Sequence, residues 1–298
     1  DVEALTANEK IDQLETEMEA VEGATEATKD PLTLIKEQLQ GDGFATIVEA
    51  RSFAKKAGFE GDTKAVDELI ERATVAAARD IVAAYPEPKE AYKELVALYG
   101  RQPRLGSRTS ESVSNQAYST PVPLAYVASK LAGVAQAETV YEPTAGNGAL
   151  LIEADPETQA IAANELDKGR AAALKKQGFT TTTKDATEAV MAAKSMDSVI
   201  ANPPFGAVRE GGESKSWLID GWRTTAIDHA IALKALDSLK DDGNAVLLLG
   251  GVKADTVEEK RKGYRAQAKR EFYWRLYNTY NVVDHFTISG DLYEKQGA

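Results

Sequence analysis

From Thr139 onward, short apolar runs alternate with helix-like stretches, and this rhythm restricts the fold more than any other feature of the chain. "TVYEPT", "QAIAANEL", "FTTTTKDA", "DSVIANPP" and "NAVLLLGG" read as strands. "GALLIEAD" reads as a helix or its start, and "DKGRAAALKKQG", "ATEAVMAAK" and "TAIDHAIALKALDSLKDDG" as helices between them. Such alternation calls for a mostly parallel sheet with helices on both faces, so the expected class is α/β. The whole pattern, from Thr139 to Gly251, occupies well under half of the 298 residues.

The front of the chain reads differently. Residues 1–29 are polar and acidic, with helical spacing in "IDQLETEMEAVE". Asp30 is placed to cap a helix whose first turn holds Pro31. Asp62 is placed to cap a longer one, in which Val66, Leu69, Ile70, Ala73 and Ala77 fall on one face. Pro86 and Pro88 punctuate before "KEAYKELVALY", so residues 30–99 read as three or four helices. "GRQPRLGSRTSESVSNQ" then reads as a linker or an ordered loop, with Arg101, Arg104 and Arg108 available for phosphate contact. The expected division is an acidic helical region with linker over 1–113 and an α/β domain over 114–298.

Charge follows the same division. Residues 1–100 carry 22 acidic and 11 basic residues, while the remainder carries 25 and 24. The net charge of −12 therefore belongs to the helical front, and it does not exclude a nucleic-acid partner for the rest. The chain has no cysteine, which removes disulfides, zinc–thiolate sites and thiol nucleophiles. Its two histidines, His229 and His285, are too few for a histidine-rich metal site, so no metal is expected. The longest apolar run, "AVLLLGGV", is too short to span a bilayer, and no signal-peptide pattern stands at the front. A cytoplasmic setting is expected.

In an open parallel sheet, ligands bind beyond the carboxyl ends of the strands. "VYEPTAGNGAL" puts Glu142, Gly146 and Gly148 there, after the first strand. Leu151 stands where a dinucleotide fingerprint requires its third glycine, which argues against a pyrophosphate site. Glu165 ends the second strand, where a carboxylate can accept both hydroxyls of a ribose. Asp185 ends the third, where it can accept from an adenine amino group or cap the following helix. A glycine turn followed by two strand-end acids fits an adenosyl ligand that lacks a diphosphate. S-adenosylmethionine is one, and its positive groups suit Glu142.

The fourth strand ends in Asn202-Pro203-Pro204-Phe205. Proline fixes φ and pushes the residue before it into extended geometry. The Asn202 carboxamide and the Pro203 carbonyl are thereby held to accept both hydrogens of a flat primary amine, aiming its lone pair at a methyl donor. Phe205 offers a ring face to the planar system that bears the amine. This chemistry needs positioning and electrostatic support, with no metal or thiol.

These motifs resemble those of the gamma-type adenine-N6 DNA methyltransferases over roughly residues 114–298. "EPTAGNG" stands as that family's glycine turn, "NPPF" as its catalytic tetrapeptide, and "NQAYSTPVPLAYVASKLA" as the segment before its first strand. The resemblance implies a Rossmann-like S-adenosylmethionine-dependent methyltransferase sheet preceded by helices. It implies cofactor contacts at Tyr118, Ser119, Thr120, Pro121, Glu142, Thr144, Gly146, Gly148, Glu165, Leu166, Asp185, Ala186 and Asn202. It implies catalytic roles for Asn202, Pro203, Pro204 and Phe205.

"HFTISGDLYEKQGA" resembles methyltransferase domains fused to helicases in phage and plasmid antirestriction proteins. That resemblance implies that Tyr293 flanks the target base opposite Phe205. It also implies a bacterial host cytoplasm, a phage or plasmid origin, and a last strand and helicase part beyond Ala298. "YNVVDHFTIS" is expected to form the first arm of the closing hairpin. The missing initiator Met is expected of a chain trimmed from a longer one.

The expected partner is DNA, with its target base flipped or already single-stranded. Helical spacing places Arg261, Arg265 and Lys269 on one face for phosphate contact. Trp217 and Trp222 follow the catalytic turn either as a wedge or lid or as core residues. Enzymes with the same tetrapeptide also methylate protein glutamine amides or RNA amines, so those acceptors stay open. An inactive methyltransferase fold serving as an antirestriction or packaging module also stays open. The acidic front is the surface for a protein partner in that case.

Overall fold

The computed structural model describes residues 29–105, 119–188, 190–210, 212–252 and 254–296. Among the described residues four helices come first: α1 (Pro31–Gln40), α2 (Ile47–Lys56), α3 (Thr63–Ala84) and α4 (Pro88–Arg101). The expected caps are in place. Asp30 accepts from the amides of Leu32 and Thr33, and Asp62 accepts from the amide of Ala65. The predicted face of α3 is buried, from Val66 through Ala77.

Helix α5 (Val122–Ala132) leads into the sheet. Its elements are β1 (Thr139–Glu142), β2 (Ala160–Asn164), α6 (Lys168–Lys176), β3 (Thr180–Thr182) and β4 (Met196–Ala201). Two small hairpins follow, β5 (Arg209–Glu210) with β6 (Glu213–Ser214) and β7 (Trp217–Ile219) with β8 (Trp222–Thr224). The chain continues as α7 (Ile227–Leu236), β9 (Leu239–Leu247), α8 (Val257–Arg265) and α9 (Gln267–Thr279), then a 3-10 segment, Gly290–Gln296.

Strand order is β3-β2-β1-β4-β9, with every neighbouring pair parallel. This is the expected α/β class, with a Rossmann-like order and a helical region ahead of it. Side chains alternate between the faces of the sheet. Val140 and Ile200 point to the face that packs Ala125 and Ala128 of α5 and Leu174 of α6. Tyr141 and Val199 point to the other, against Ala235 of α7. The far side of α7 is apolar too, and it buries Ala230 and Leu233 against Trp217, Trp222 and Phe272. Both tryptophans are thus core residues.

The helical region shares its core with the α/β layer. Ile70, Leu95 and Leu98 form one cluster with Val122, Tyr126 and Ile152. Arg79 of α3 reaches the carbonyls of Leu151 at 2.6 Å and Ala154 at 3.2 Å, and its guanidinium lies 5.0 Å from the Phe179 ring centroid.

Several expected elements are absent among the described residues. "GALLIEAD" forms turns rather than a helix, because the Arg79 guanidinium takes up carbonyls of that stretch. The described part of "ATEAVMAAK" also forms turns. There Asp185 bonds the Thr187 amide at 2.9 Å and its hydroxyl at 2.7 Å, a local turn that competes with helix. The long helix predicted before the last strand stops at Leu236, and "LKDDG" joins β9 instead. A Cβ on Gly243 would lie 2.8 Å from the Asp197 carbonyl, so this close strand approach requires glycine. "YNVVDHFTIS" forms no strand, and Val283 and Phe286 are exposed. The basic stretch breaks into α8 and α9 at Ala266, whose ψ of 140° is extended.

Arg79→Ala is expected to destabilise the fold by about 2 kcal/mol or more, since two carbonyls lose a charged donor. Urea unfolding monitored by far-UV circular dichroism checks this, and an unchanged midpoint contradicts the docking role given to Arg79.

Candidate functional site

The loops after β1, β2, β3, β4 and β9 leave the sheet at one edge, because all five strands run parallel. Asn164, the last residue of β2, ties three of them together. Its amide group donates to the carbonyls of Pro143 at 3.0 Å and Lys184 at 2.9 Å. Its oxygen accepts from the Thr182 hydroxyl at 2.6 Å and the Lys184 amide at 2.9 Å. Glu165 makes the next bridge, accepting from the amides of Gly146 and Asp167, each at 2.8 Å. The glycine turn is left-handed at Gly146 (φ 55°) and Gly148 (φ 84°). A Cβ on Gly148 would press on Leu174 at 3.1 Å.

A cavity opens above this edge, and Glu142, Thr144, Gly146 and Asn202 line it, with Ser119 and Thr120 from the segment before α5. Glu142 is 2% exposed and its Oε2 has no hydrogen-bond partner. Burial, then the charge of Glu165, hold its carboxyl well above the usual carboxylate range, while Arg79 opposes the shift. Thr144 Oγ1 and Asn147 Oδ1 are also buried without partners. Three buried acceptors at one cavity fit a ligand that brings donors or positive charge.

The tetrapeptide stands at the end of β4, beside that cavity. Asn202 donates to the Thr120 hydroxyl at 2.8 Å, and its carboxamide is also hydrogen-bonded to the Tyr293 hydroxyl. Burial first pushes the Tyr293 phenol up, and the Asn202 bond opposes it. Pro203 is buried and Phe205 half-buried. Asp228, in the first turn of α7, fixes the following backbone. Its two oxygens accept from the amides of Gly206 at 3.2 Å and Gly250 at 3.1 Å.

The structure therefore brings Ser119, Thr120, Glu142, Thr144, Gly146, Asn202 and Tyr293 to one place. Pro121 and Ala186 are buried, and Leu166 is 69% exposed. Asp185 is exposed, with Lys215 at 3.8 Å. Tyr118 and Arg108 lie outside the described residues. The single basic face is not formed. Arg261 and Arg265 are exposed on α8, but past the break Lys269 turns inward to the Gly250 carbonyl at 2.6 Å.

Glu71, Asn147, Asn164 and Asp228 are the site residues that the sequence reading missed. Glu71 carried the signal of an acid in the middle of an amphipathic helix, and Asp228 that of an acid in the first turn of an apolar one. Asn147 lay inside the glycine turn, and Asn164 ended an apolar strand.

No protein-family model matches this chain, and no curated protein matches it. Among solved structures it is similar to one from Pyrococcus horikoshii, named as a candidate RNA methyltransferase. The identity is 24%, over 50% of this chain and 70% of that one, with a TM-score of 0.33. Likeness at that level says nothing of substrate, and the α/β class rests on the strand order and layers described above.

Proposed function

We propose that the chain is an S-adenosylmethionine-dependent methyltransferase acting on the exocyclic N6 amine of adenine in DNA. The observation that carries this reading is a shared cavity: the Asn202 carboxamide, on its proline-stiffened turn, borders the unpartnered carboxylate oxygen of Glu142. S-adenosylmethionine, when bound, supplies an electrophilic methyl group on a positive sulfur. Glu142 meets the positive end of that ligand. Ser119, Thr120, Pro121, Thr144, Gly146 and Gly148 surround the same end. Glu165 takes the ribose hydroxyls, and Asp185 the adenine amino group, with Leu166 and Ala186 against the ring.

On the acceptor side, Asn202 and the Pro203 carbonyl accept the two hydrogens of the amine, held rigid by Pro203 and Pro204. Phe205 stacks on the base, and Tyr293 borders the position from the side of the 3-10 segment. The arrangement gains its rate from orientation and from acceptors already aimed at a nitrogen that becomes positive. A base inside a duplex cannot reach this edge, so it enters flipped or single-stranded. Arg261 and Arg265 contact phosphates. The acidic helical region offers a protein partner a surface of opposite charge.

Asn202→Ala is expected to lower methyl transfer about 100-fold or more while cofactor affinity changes little. Transfer of labelled methyl from S-adenosylmethionine to DNA, RNA and protein arms measures this. A fully active variant overturns the role of Asn202, and label in RNA or protein alone replaces DNA as the acceptor. Glu142→Gln is expected to exchange stability against binding. A raised carboxyl keeps its proton in the folded chain at pH values where the unfolded chain has lost it. Folded stability therefore falls as pH rises above the ordinary glutamate value of 4.5. The variant is expected to melt above the parent at about pH 8, with the difference shrinking toward acid, and to bind S-adenosylmethionine more weakly. A variant that melts lower at about pH 8, or binds as tightly as the parent, contradicts the assignment.

A further inference from the structure

The cavity has a wall that the α/β layer does not supply. Glu71, in α3 of the helical region, lines it alongside Ser119, Glu142, Thr144 and Asn147. The Glu71 Oε2 accepts from the Ser119 hydroxyl at 2.6 Å and from the Asn147 amide group at 2.9 Å. The same Asn147 group reaches Glu68 Oε2 at 3.1 Å, and Arg170 grips Glu68 through Nε and Nη2 at 2.9 and 2.5 Å. Arg170 is thus spent mainly on Glu68. Glu71 and Glu142 bring two carboxylates to one cavity, and burial pushes both carboxyls up.

An internal staple accounts for Glu71, Ser119 and Asn147 bonding one another. It does not account for the acceptors left over. Glu142 Oε2 and Asn147 Oδ1 are without partners, and their residues are 2% and 5% exposed. Buried acceptors of this kind call for donors. A sulfonium carries charge and no hydrogen to donate. A primary ammonium carries charge and three donors.

We propose that Glu71 and Glu142, with Asn147, form a seat for the α-ammonium of the amino-acid end of the cofactor, so that the helical region is part of the cofactor site. This rests on the reading of the cavity as an S-adenosylmethionine site. It makes the docking of α3 a condition of tight binding, since half of the seat's negative charge arrives on that helix.

Isothermal titration of the whole chain with two probes tests it. S-adenosylhomocysteine carries the α-ammonium but no sulfonium, and 5′-methylthioadenosine carries the same nucleoside without the amino-acid end. Glu71→Gln is expected to weaken S-adenosylhomocysteine about tenfold, the scale of one charge-assisted contact, and to leave 5′-methylthioadenosine within twofold. Equal loss of both probes shows Glu71 to be only a structural staple and overturns the seat. Unchanged binding of S-adenosylhomocysteine overturns it as well. A parent chain that binds neither probe overturns the cofactor reading itself, an outcome distinct from the other two because it appears without any substitution.

Discussion

The Asn164 carboxamide is the fixed point of the functional edge. It is 1% exposed, and both of its amide hydrogens and its oxygen are engaged. Through it the loop after β1, the end of β2 and the loop after β3 hold one spacing. An aspartate of the same shape has no hydrogens to give to Pro143 and Lys184, and a leucine strands two carbonyls and an amide. Glu165 extends the same clamp to the Gly146 amide, so the glycine turn is held from the next strand as well as by its own Gly148 amide, which donates to the Ala145 carbonyl at 2.7 Å. A ligand-binding edge built from five separate loops needs such ties, because loops make few contacts of their own.

Above that clamp the site stores unfavourable electrostatics. Glu71, Glu142 and Glu165 all have carboxyls raised by burial. The opposing charges come from two different elements, Arg79 on α3 and Arg170 on α6. Burial in turn lowers the Arg79 pKa to about 10, so this cation is itself costly to hold. Partial compensation suits a binding site: full pairing inside the protein would leave Glu142 nothing to offer a ligand.

Much of the fold was legible from period and punctuation. The strands β1, β2 and β4, the caps Asp30 and Asp62 and the buried face of α3 follow directly from local pattern. The turns at "GALLIEAD" did not, because their backbone is satisfied by Arg79, some 70 positions away in the chain. The same blindness applies at the site. Glu142, Gly146 and Asn202 announce themselves at strand ends, where a parallel sheet puts ligands. Glu71 sits mid-helix among ordinary acids, and only the packing of α3 on the sheet turns it into a cavity wall. The expected stripe of Arg261, Arg265 and Lys269 failed for a related reason. Residues three and four apart share a face only while the helix is unbroken, and Ala266 breaks it.

The catalytic tetrapeptide depends on a tie outside itself. Two prolines stiffen its φ angles, but they remove two amide donors that might have anchored the turn. Rigidity in dihedral space does not fix where the turn points. Asp228 supplies that anchor by holding the Gly206 amide after Phe205 and the Gly250 amide after β9, so one carboxylate sets the gap between two neighbouring strand ends. Asp228 is itself 2% exposed, and it is set at the start of α7, where the helix dipole favours an acid. The Asn202 carboxamide is therefore positioned from four directions: by its own prolines, by Thr120 from the segment before α5, by Tyr293 from the 3-10 segment, and by α7 through Asp228. The separation between Asn202 and the Glu142 side of the cavity is then a property of the sheet, since β4 and β1 are neighbours in it.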